Sequence, residues 1–267
     1  MARASITARG VAGVRRRVAR LPFAGGQPEV DDRLARAVGL PLPLPLFGTG
    51  GAYFRARTRF FDEAVVGAIR DGVNQVVLVG AGYDGRAFRY RAPGVRWFEV
   101  DHPATQADKR ARLDALGTGA GGGVDCSHLT FVSCDLGAED GDGGIGAALA
   151  AAGHDPSRST LFVAEAVLPY LSADAVERAL RAMADHCGPS GRLAVEFGLV
   201  PHDLRARVNV RALRTMTNLL GEPVLTIHER HDALALLDRC GWTPREPDPS
   251  LGRRVQGRIV LWLLAGQ

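Results

Sequence analysis

The sequence predicts an α/β protein built on a doubly wound parallel sheet, with an antiparallel C-terminal hairpin at one edge and a helical lid. Three observations predict it. Short continuous apolar runs alternate with stretches of helical periodicity, the pattern of βαβ units whose sheet is covered on both faces. The first run, Val76 to Val79, ends in the turn Gly80-Ala81-Gly82-Tyr83-Asp84-Gly85. The second run ends in Glu99-Val100-Asp101, placing acids about 20 residues beyond the glycines, as in nucleotide-binding βαβ folds.

The 267 residues are 46% hydrophobic and 23% charged, which excludes disordered, collagen-like and fibrous chains. The four cysteines, Cys126, Cys134, Cys187 and Cys240, are 8, 53 and 53 positions apart, a spacing that suits neither a zinc site nor a redox pair. No metal is expected. Cysteines this sparse and the lack of an apolar run of about 18 residues argue for a cytoplasmic protein and against a membrane partner. The net charge of +4 comes from 33 basic residues, of which only Lys109 is lysine, against 29 acids. Arg3, Arg9, Arg15, Arg16, Arg17 and Arg20 precede the first acid. This tail reads as a solvated extension or a basic amphipathic lid helix, and no nucleic-acid motif accompanies it.

Along the chain, Leu40 to Leu46 alternates Pro and Leu, which forbids helix and marks a linker after an N-terminal flap. The flap and linker are assigned to residues 1–52 and the main domain to 53–267. Tyr53 to Ile69 carries Phe54, Phe61, Val65, Ala68 and Ile69 at helical spacing. Further strands are expected at Val95 to Val100, Leu129 to Cys134, Leu161 to Ala164 and Leu193 to Phe197. The helices between them are expected at Pro103 to Leu116, Ile145 to Ala152 and Ala173 to Cys187, the last capped by Ser172. Asp203 to Leu220, within an insertion of about 202–220, and Asp232 to Arg239 complete the helices. Arg258 to Leu264 is the last strand, antiparallel to its neighbour.

The glycine turn lets a ligand approach the backbone, and a carboxylate at Asp101 can accept from both hydroxyls of a ribose. A tight turn and a surface acid are the blander alternatives. NAD(P) and S-adenosylmethionine both fit such a frame. The Tyr-x-x-x-Lys pair of short-chain dehydrogenases is absent, because the only lysine, Lys109, has Thr105 four residues before it.

Several motifs in order resemble the leucine carboxyl methyltransferase family, whose bacterial members are S-adenosylmethionine-dependent O-methyltransferases. They are Arg57-Thr58-Arg59-Phe60-Phe61-Asp62, the stretch from Gln75 through the glycine turn to Tyr90, Phe98-Glu99-Val100-Asp101-His102-Pro103 with Lys109, Val132-Ser133-Cys134-Asp135-Leu136, Ala164-Glu165-Ala166-Val167-Leu168-Pro169-Tyr170-Leu171, and Gly241-Trp242. The resemblance is good over about residues 53 to 198 and loose beyond. It implies a Rossmann-like class I methyltransferase sheet with S-adenosylmethionine as cofactor. Arg57 would pair with the methionine carboxylate, the backbone at Gly80, Ala81 and Gly82 would meet the methionyl part, and Asp101 with His102 would lie at the ribose. Asp135 and Leu136 would bracket adenine, with Glu165 and Ala166 where ammonium and acceptor meet. Taken singly, Arg57 also reads as a surface-helix arginine, Asp135 as a helix N-cap and Glu165 as a solvated strand end. The chain departs from the family pattern at Ala166, where glycine is usual, at Gly85, where Thr or Ser is usual, and at Asp31-Asp32-Arg33-Leu34-Ala35, the nearest piece to an early Asp-Pro-x-Ala motif.

Methyl transfer from a sulfonium is an in-line displacement, so orientation and desolvation do most of the catalysis. An acceptor carboxylate needs no base, whereas a hydroxyl does. His102, Tyr170 and His202 are the candidate catalytic groups. Arg205, Arg207, Arg211 and Arg214 form either a solvated face or an attractor for an anionic acceptor. The expected partner is a small anionic molecule, and similarity to polyketide-tailoring carboxyl methyltransferases points to a natural-product intermediate. A protein C-terminal carboxylate is the alternative acceptor. A nicotinamide oxidoreductase and a non-catalytic cofactor binder are the alternatives of other classes.

Overall fold

The structure is a computed structural model that describes residues 4–15, 18, 21–38, 50–117, 124–138, 144–245 and 260–266. The Pro-Leu linker at Leu40 to Leu46, Arg3, Arg16, Arg17, Arg20 and the turn before Val260 lie outside the described residues.

Five strands build the parallel part of the sheet: β1 (Gln75–Val79), β2 (Arg96–Asp101), β3 (Leu129–Ser133), β4 (Thr160–Ala164) and β5 (Arg192–Gly198). Two more, β6 (Thr243–Arg245) and β7 (Val260–Gly266), complete a seven-stranded sheet of order β3-β2-β1-β4-β5-β7-β6. β7 runs antiparallel to both β5 and β6, which is the expected hairpin edge. The strand order reverses between β1 and β4, so the crevice beyond their carboxyl ends is where a doubly wound sheet takes its ligand.

All five residues of β1 are buried, as a strand covered on both faces requires. Its alternate side chains feed two cores. Val77 and Val79 join α6 (Gly144–Ala151), α7 (Ala173–Asp185) and α9 (Arg230–Arg239) on one face. Val76 and Leu78 join α2 (Pro28–Val38), α3 (Gly50–Arg70), the short α4 (Arg86–Arg89) and α5 (Pro103–Gly117) on the other. Ser172 caps α7 as expected, its hydroxyl accepting from the Ala175 N–H at 3.3 Å. α7 stops at Asp185, two residues short of the expected end.

The N-terminal segment departs most from expectation. It carries α1 (Ile6–Arg15) and α2, and Leu34 of α2 is fully buried in the same core as Phe61 and Val76. The boundary placed at residue 52 falls inside α3. The insertion forms α8 (Leu204–Leu219), with the Asp203 carboxylate accepting from Ala206 N–H at 2.7 Å. On α8, Arg207, Arg211 and Arg214 are exposed.

Candidate functional site

A cavity of about 590 Å³ opens at the carboxyl ends of β1, β2 and β4, within the usual size of a small-molecule site. Gly80, Ala81 and Gly82 follow β1 along one wall. Asp101 and His102 close β2, and Asp135 stands two residues beyond β3. Glu165, Ala166 and Tyr170 follow β4, and Arg57 enters from α3. α1 lies across the cavity with Thr7, Ala8, Val11 and Arg15, and the loop after α8 adds Glu222.

Gly80 and Gly82 have φ of +65° and +52°, the left-handed region in which a Cβ is strained. Space demands them as well: a Cβ at Gly80 would lie 2.5 Å from the Val167 side chain, and one at Gly82 3.0 Å from Ala8. Asp101 accepts from the backbone N–H of Gly82 and, at 2.6 Å, of His102, one on each oxygen. Each oxygen keeps a lone pair for a hydroxyl donor. Burial pushes its carboxyl above the usual carboxylate range against those two amides. His102 Nδ1 in turn accepts from Ala104 N–H at 3.2 Å.

Arg57 is buried, with Glu165 at 2.8 Å from Nε and the Tyr53 hydroxyl at 3.1 Å from Nη1. Its guanidinium stacks 4.9 Å from the Phe54 ring centre. Burial alone would lower its pKa, but Tyr53, Glu196 and Glu165 outweigh that and raise it. Nε and Nη2 are buried and neither has a hydrogen-bond partner. An unsatisfied buried guanidinium N–H is costly.

Glu165 meets three arginines: Arg57 at 2.8 Å, Arg15 at 2.8 Å and Arg86 at 2.5 Å. Burial would raise its pKa, yet Arg15, Arg86 and Arg57 together hold it well below the usual carboxylate range. It therefore stays an anion, able to face an ammonium. Ala166 has φ +55°, so at the position where the family usually carries glycine an alanine bears the strain of the left-handed region. Gly85 has an ordinary φ of −105° and is required by space instead. The Asp31 Cβ would lie 2.6 Å from a Cβ there, and its carboxyl closer still. Two of the three departures from the family pattern, at Gly85 and at Asp31, thus face each other.

Asp135 is exposed, accepts from Gly137 N–H at 2.9 Å, and lies where this cavity meets a second of about 240 Å³. Leu136 lines that second cavity and not the first. His202 is not brought to the site: it precedes the cap of α8, 71% of its side chain is exposed, and its partner is Glu229 at 3.2 Å. Tyr170 lines the cavity, and burial raises its phenol pKa. Among the described residues no group of three or more His, Cys, Asp or Glu side chains is placed to hold a metal ion. No helix of the described residues is long and apolar enough to cross a membrane.

Sequence reasoning missed Arg15 and Glu222. Ala8, Val11 and Arg15 share one helix face at i, i+3 and i+7, a signal present in the tail. Glu222 had none. Its carboxylate accepts from the Ile6 N–H at 2.7 Å and the Thr7 N–H at 3.3 Å, capping α1 with the charge that a helix N-terminus favours.

The sequence model of the leucine carboxyl methyltransferases matches residues 47–184, a little over half of the chain. A protein of Parafrankia sp. (strain EAN1pec), provisionally named an S-adenosyl-L-methionine-dependent methyltransferase, is 38% identical over 209 residues, covering 70% of this chain and 64% of that protein. One of Mycolicibacterium smegmatis with the same provisional name is 35% identical over 201 residues, covering 71% of this chain and 60% of the relative. The chain thus matches these curated relatives over about six-tenths of their length. A solved structure from Thermobifida fusca YX, provisionally described as a methyltransferase, is similar with a TM-score of 0.60 at 16% identity, covering 99% of this chain and 95% of that one. The magnesium protoporphyrin IX methyltransferase of Synechocystis PCC 6803, solved with bound SAH, is similar at 0.50 and 16% identity, covering 88% and 93%. At such identities these two likenesses speak to the fold, a Rossmann-like methyltransferase sheet. The matched residues include the helix of Arg57, the glycine turn, Asp101, Asp135 and Glu165, and on that match the chain belongs to the leucine carboxyl methyltransferase family.

Proposed function

We propose that this chain is an S-adenosylmethionine-dependent O-methyltransferase that acts on the carboxylate of a small molecule. The observation that carries the reading is a single cavity lined by Arg57, whose guanidinium keeps N–H groups without hydrogen-bond partners, by the anionic Glu165 and by the amide-held Asp101. Those groups suit a carboxylate, an ammonium and a ribose respectively, and Asp135 at the far end suits an adenine amine. S-adenosylmethionine supplies a methyl group on a sulfonium. Arg57 orients the amino-acid end by a charge-assisted hydrogen bond. Gly80 and Gly82 let the backbone come close, and Asp101 fixes the ribose. Ala81, His102 and Ala166 shape the wall around these contacts, and Leu136 borders the adjoining cavity beyond Asp135.

The acceptor assignment rests on the groups available as bases. Tyr170, with its raised pKa, keeps its proton at neutral pH. His202 is turned away to Glu229, which leaves His102 as the imidazole among the described lining residues. A site with so little base suits an acceptor that is already ionised, a carboxylate of pKa about 4. α1 across the cavity favours a small acid, such as a natural-product intermediate, over a protein C terminus. Family membership stands against the nicotinamide alternative.

The test is calorimetric titration with S-adenosylmethionine, S-adenosylhomocysteine and NAD(P)H in parallel, followed by a panel of aromatic carboxylic acids with methyl esters detected by mass. Binding of the two sulfur compounds and a rate that is flat above pH 6 are expected. Binding of NAD(P)H alone refutes the cofactor. A methyl ether formed on a hydroxyl acceptor, with a rate that climbs through the imidazole range, refutes the acceptor class.

A further inference from the structure

Behind the cavity lies a carboxylate for which the reading above has no use. Glu196, in the middle of β5, is 2% exposed and does not line the cavity. Burying a carboxylate is expensive, and it needs a compensating partner. Besides Trp262 on β7, its partners lead to Arg57. The Tyr53 hydroxyl donates to Glu196 Oε1 at 2.6 Å, and Arg57 Nη1 donates to that same hydroxyl oxygen at 3.1 Å. Arg57 Nη1 is itself 3.7 Å from Glu196 Oε2, beyond a hydrogen bond.

The three nitrogens of Arg57 are thereby sorted. Nε lies 2.8 Å from Glu165 as an ion pair without hydrogen-bond geometry, Nη1 is held by the phenol that Glu196 polarises, and Nη2 faces neither acid within ion-pair distance and has no hydrogen-bond partner. A guanidinium is planar, so the ion pair at Nε and the hydrogen bond at Nη1 together restrict the direction of Nη2. The surrounding rings keep the relay in place: Tyr53 lies 5.8 Å from Trp262, the residue that pairs with Glu196 across β5 and β7. Tyr53 and Arg57 are four apart on α3, so one helix face presents both.

We infer that Glu196, acting through the Tyr53 hydroxyl, is a positioning residue that aims Arg57 Nη2 at the carboxylate of the bound cofactor. The inference rests on the cofactor reading proposed above. It assigns to the antiparallel edge of the sheet a part in cofactor selection: β5 supplies the carboxylate, and β7 supplies the wall against which the relay packs.

The probe pair is S-adenosylmethionine and decarboxylated S-adenosylmethionine, which differ only in the carboxylate that Arg57 would hold. Wild-type protein is expected to prefer the former. Glu196→Gln keeps the shape and hydrogen-bonding capacity but removes the charge. Tyr53→Phe keeps the ring and removes the hydroxyl, freeing Arg57 to swing onto Glu196. Each variant should lose about tenfold in that preference, the scale of one charge-assisted hydrogen bond, while its affinity for the decarboxylated compound holds. A merely structural role would weaken both compounds equally. Equal weakening, or an unchanged preference in both variants, overturns the inference while leaving the cofactor reading intact. A wild-type protein that binds neither compound overturns the cofactor reading and this inference with it.

Discussion

Gly85→Ala should be among the more damaging single-methyl changes in the molecule, and Asp31→Ala should rescue it. The backbone at position 85 raises no objection, since φ is −105°. The objection is the Asp31 side chain, whose Cβ would stand 2.6 Å from the new methyl with the carboxyl nearer still. Asp31 is 5% exposed and sits 3.3 Å from Arg89, whose own side chain is 2% exposed. To clear the methyl, Asp31 must give up that buried pair, and Arg89 keeps Asp62 at 3.1 Å. Overpacking costs about 1–3 kcal/mol, and breaking a buried pair costs about 3–5 kcal/mol when nothing replaces it. The retained Asp62 contact puts the expected loss near the lower end, about 2–3 kcal/mol. In a chain of this size that is a drop of about 5 °C in Tm. Asp31→Ala alone should also destabilise, but adding Gly85→Ala to it should cost under about 0.5 kcal/mol. Urea unfolding of the four proteins of the cycle measures the coupling directly. If Gly85→Ala costs the same in both backgrounds, the two residues do not meet and the steric account of the departure is wrong.

Three further outcomes follow from the same geometry. Ala166→Gly relieves a left-handed alanine at φ +55° and should raise stability by about 0.5–1 kcal/mol, net of the extra chain entropy of glycine; a lower Tm would mean that this conformation is not adopted in solution. Burial raises the Glu99 carboxyl to about 7 against the pull of Lys109 at 2.6 Å. A raised folded value contributes stability that is full below the unfolded pKa near 4 and is lost as pH rises through 7. Glu99→Gln should therefore flatten the fall in urea stability between pH 5 and pH 8, and an equal fall in both proteins would contradict the shift. Asp101→Ala should abolish binding of S-adenosylhomocysteine in calorimetry while leaving the unfolding transition in place, and wild-type affinity in that variant would remove the ribose assignment.

The parallel sheet was legible because its strands are continuous apolar runs separated by helices. Asp101 was legible for the same reason that fold-level rules work: the distance from the glycine turn to the next strand end is set by one helix. β6 was not, being three residues long with a proline at its centre, which only an edge strand tolerates. His202 was placed near the cavity because it opens the insertion, but it stands just before the cap of α8 and turns outward. Arg15 was hidden by composition: in a chain whose basic residues are nearly all arginine, one more in a basic tail carries no weight until its partners, 69 and 150 positions away, are known. The pairing of Gly85 with Asp31 is legible only as two separate oddities, because nothing in one sequence says that they touch.

Arg15 also explains why α1 belongs to the site instead of merely covering it. Asp84 and Glu165 both lean on a single nitrogen of Arg86, Nη1, at 2.6 and 2.5 Å. Two carboxylates crowded onto one donor repel, and one of them would ordinarily take a proton. Arg15 bridges that same pair from above, with Nη1 3.3 Å from Asp84 and Nη2 2.8 Å from Glu165. With its second guanidinium in place both acids are held below the usual carboxylate range, although burial pulls each of them upward. The anionic state of Glu165, on which the proposed recognition of an ammonium depends, is thus a joint product of α3, α4 and α1. α1 in turn is capped by Glu222 from the loop just after α8. The two segments that sequence reading set apart as flap and lid therefore meet over the cavity, and the charge on the carboxylate at its floor depends on the first of them being seated.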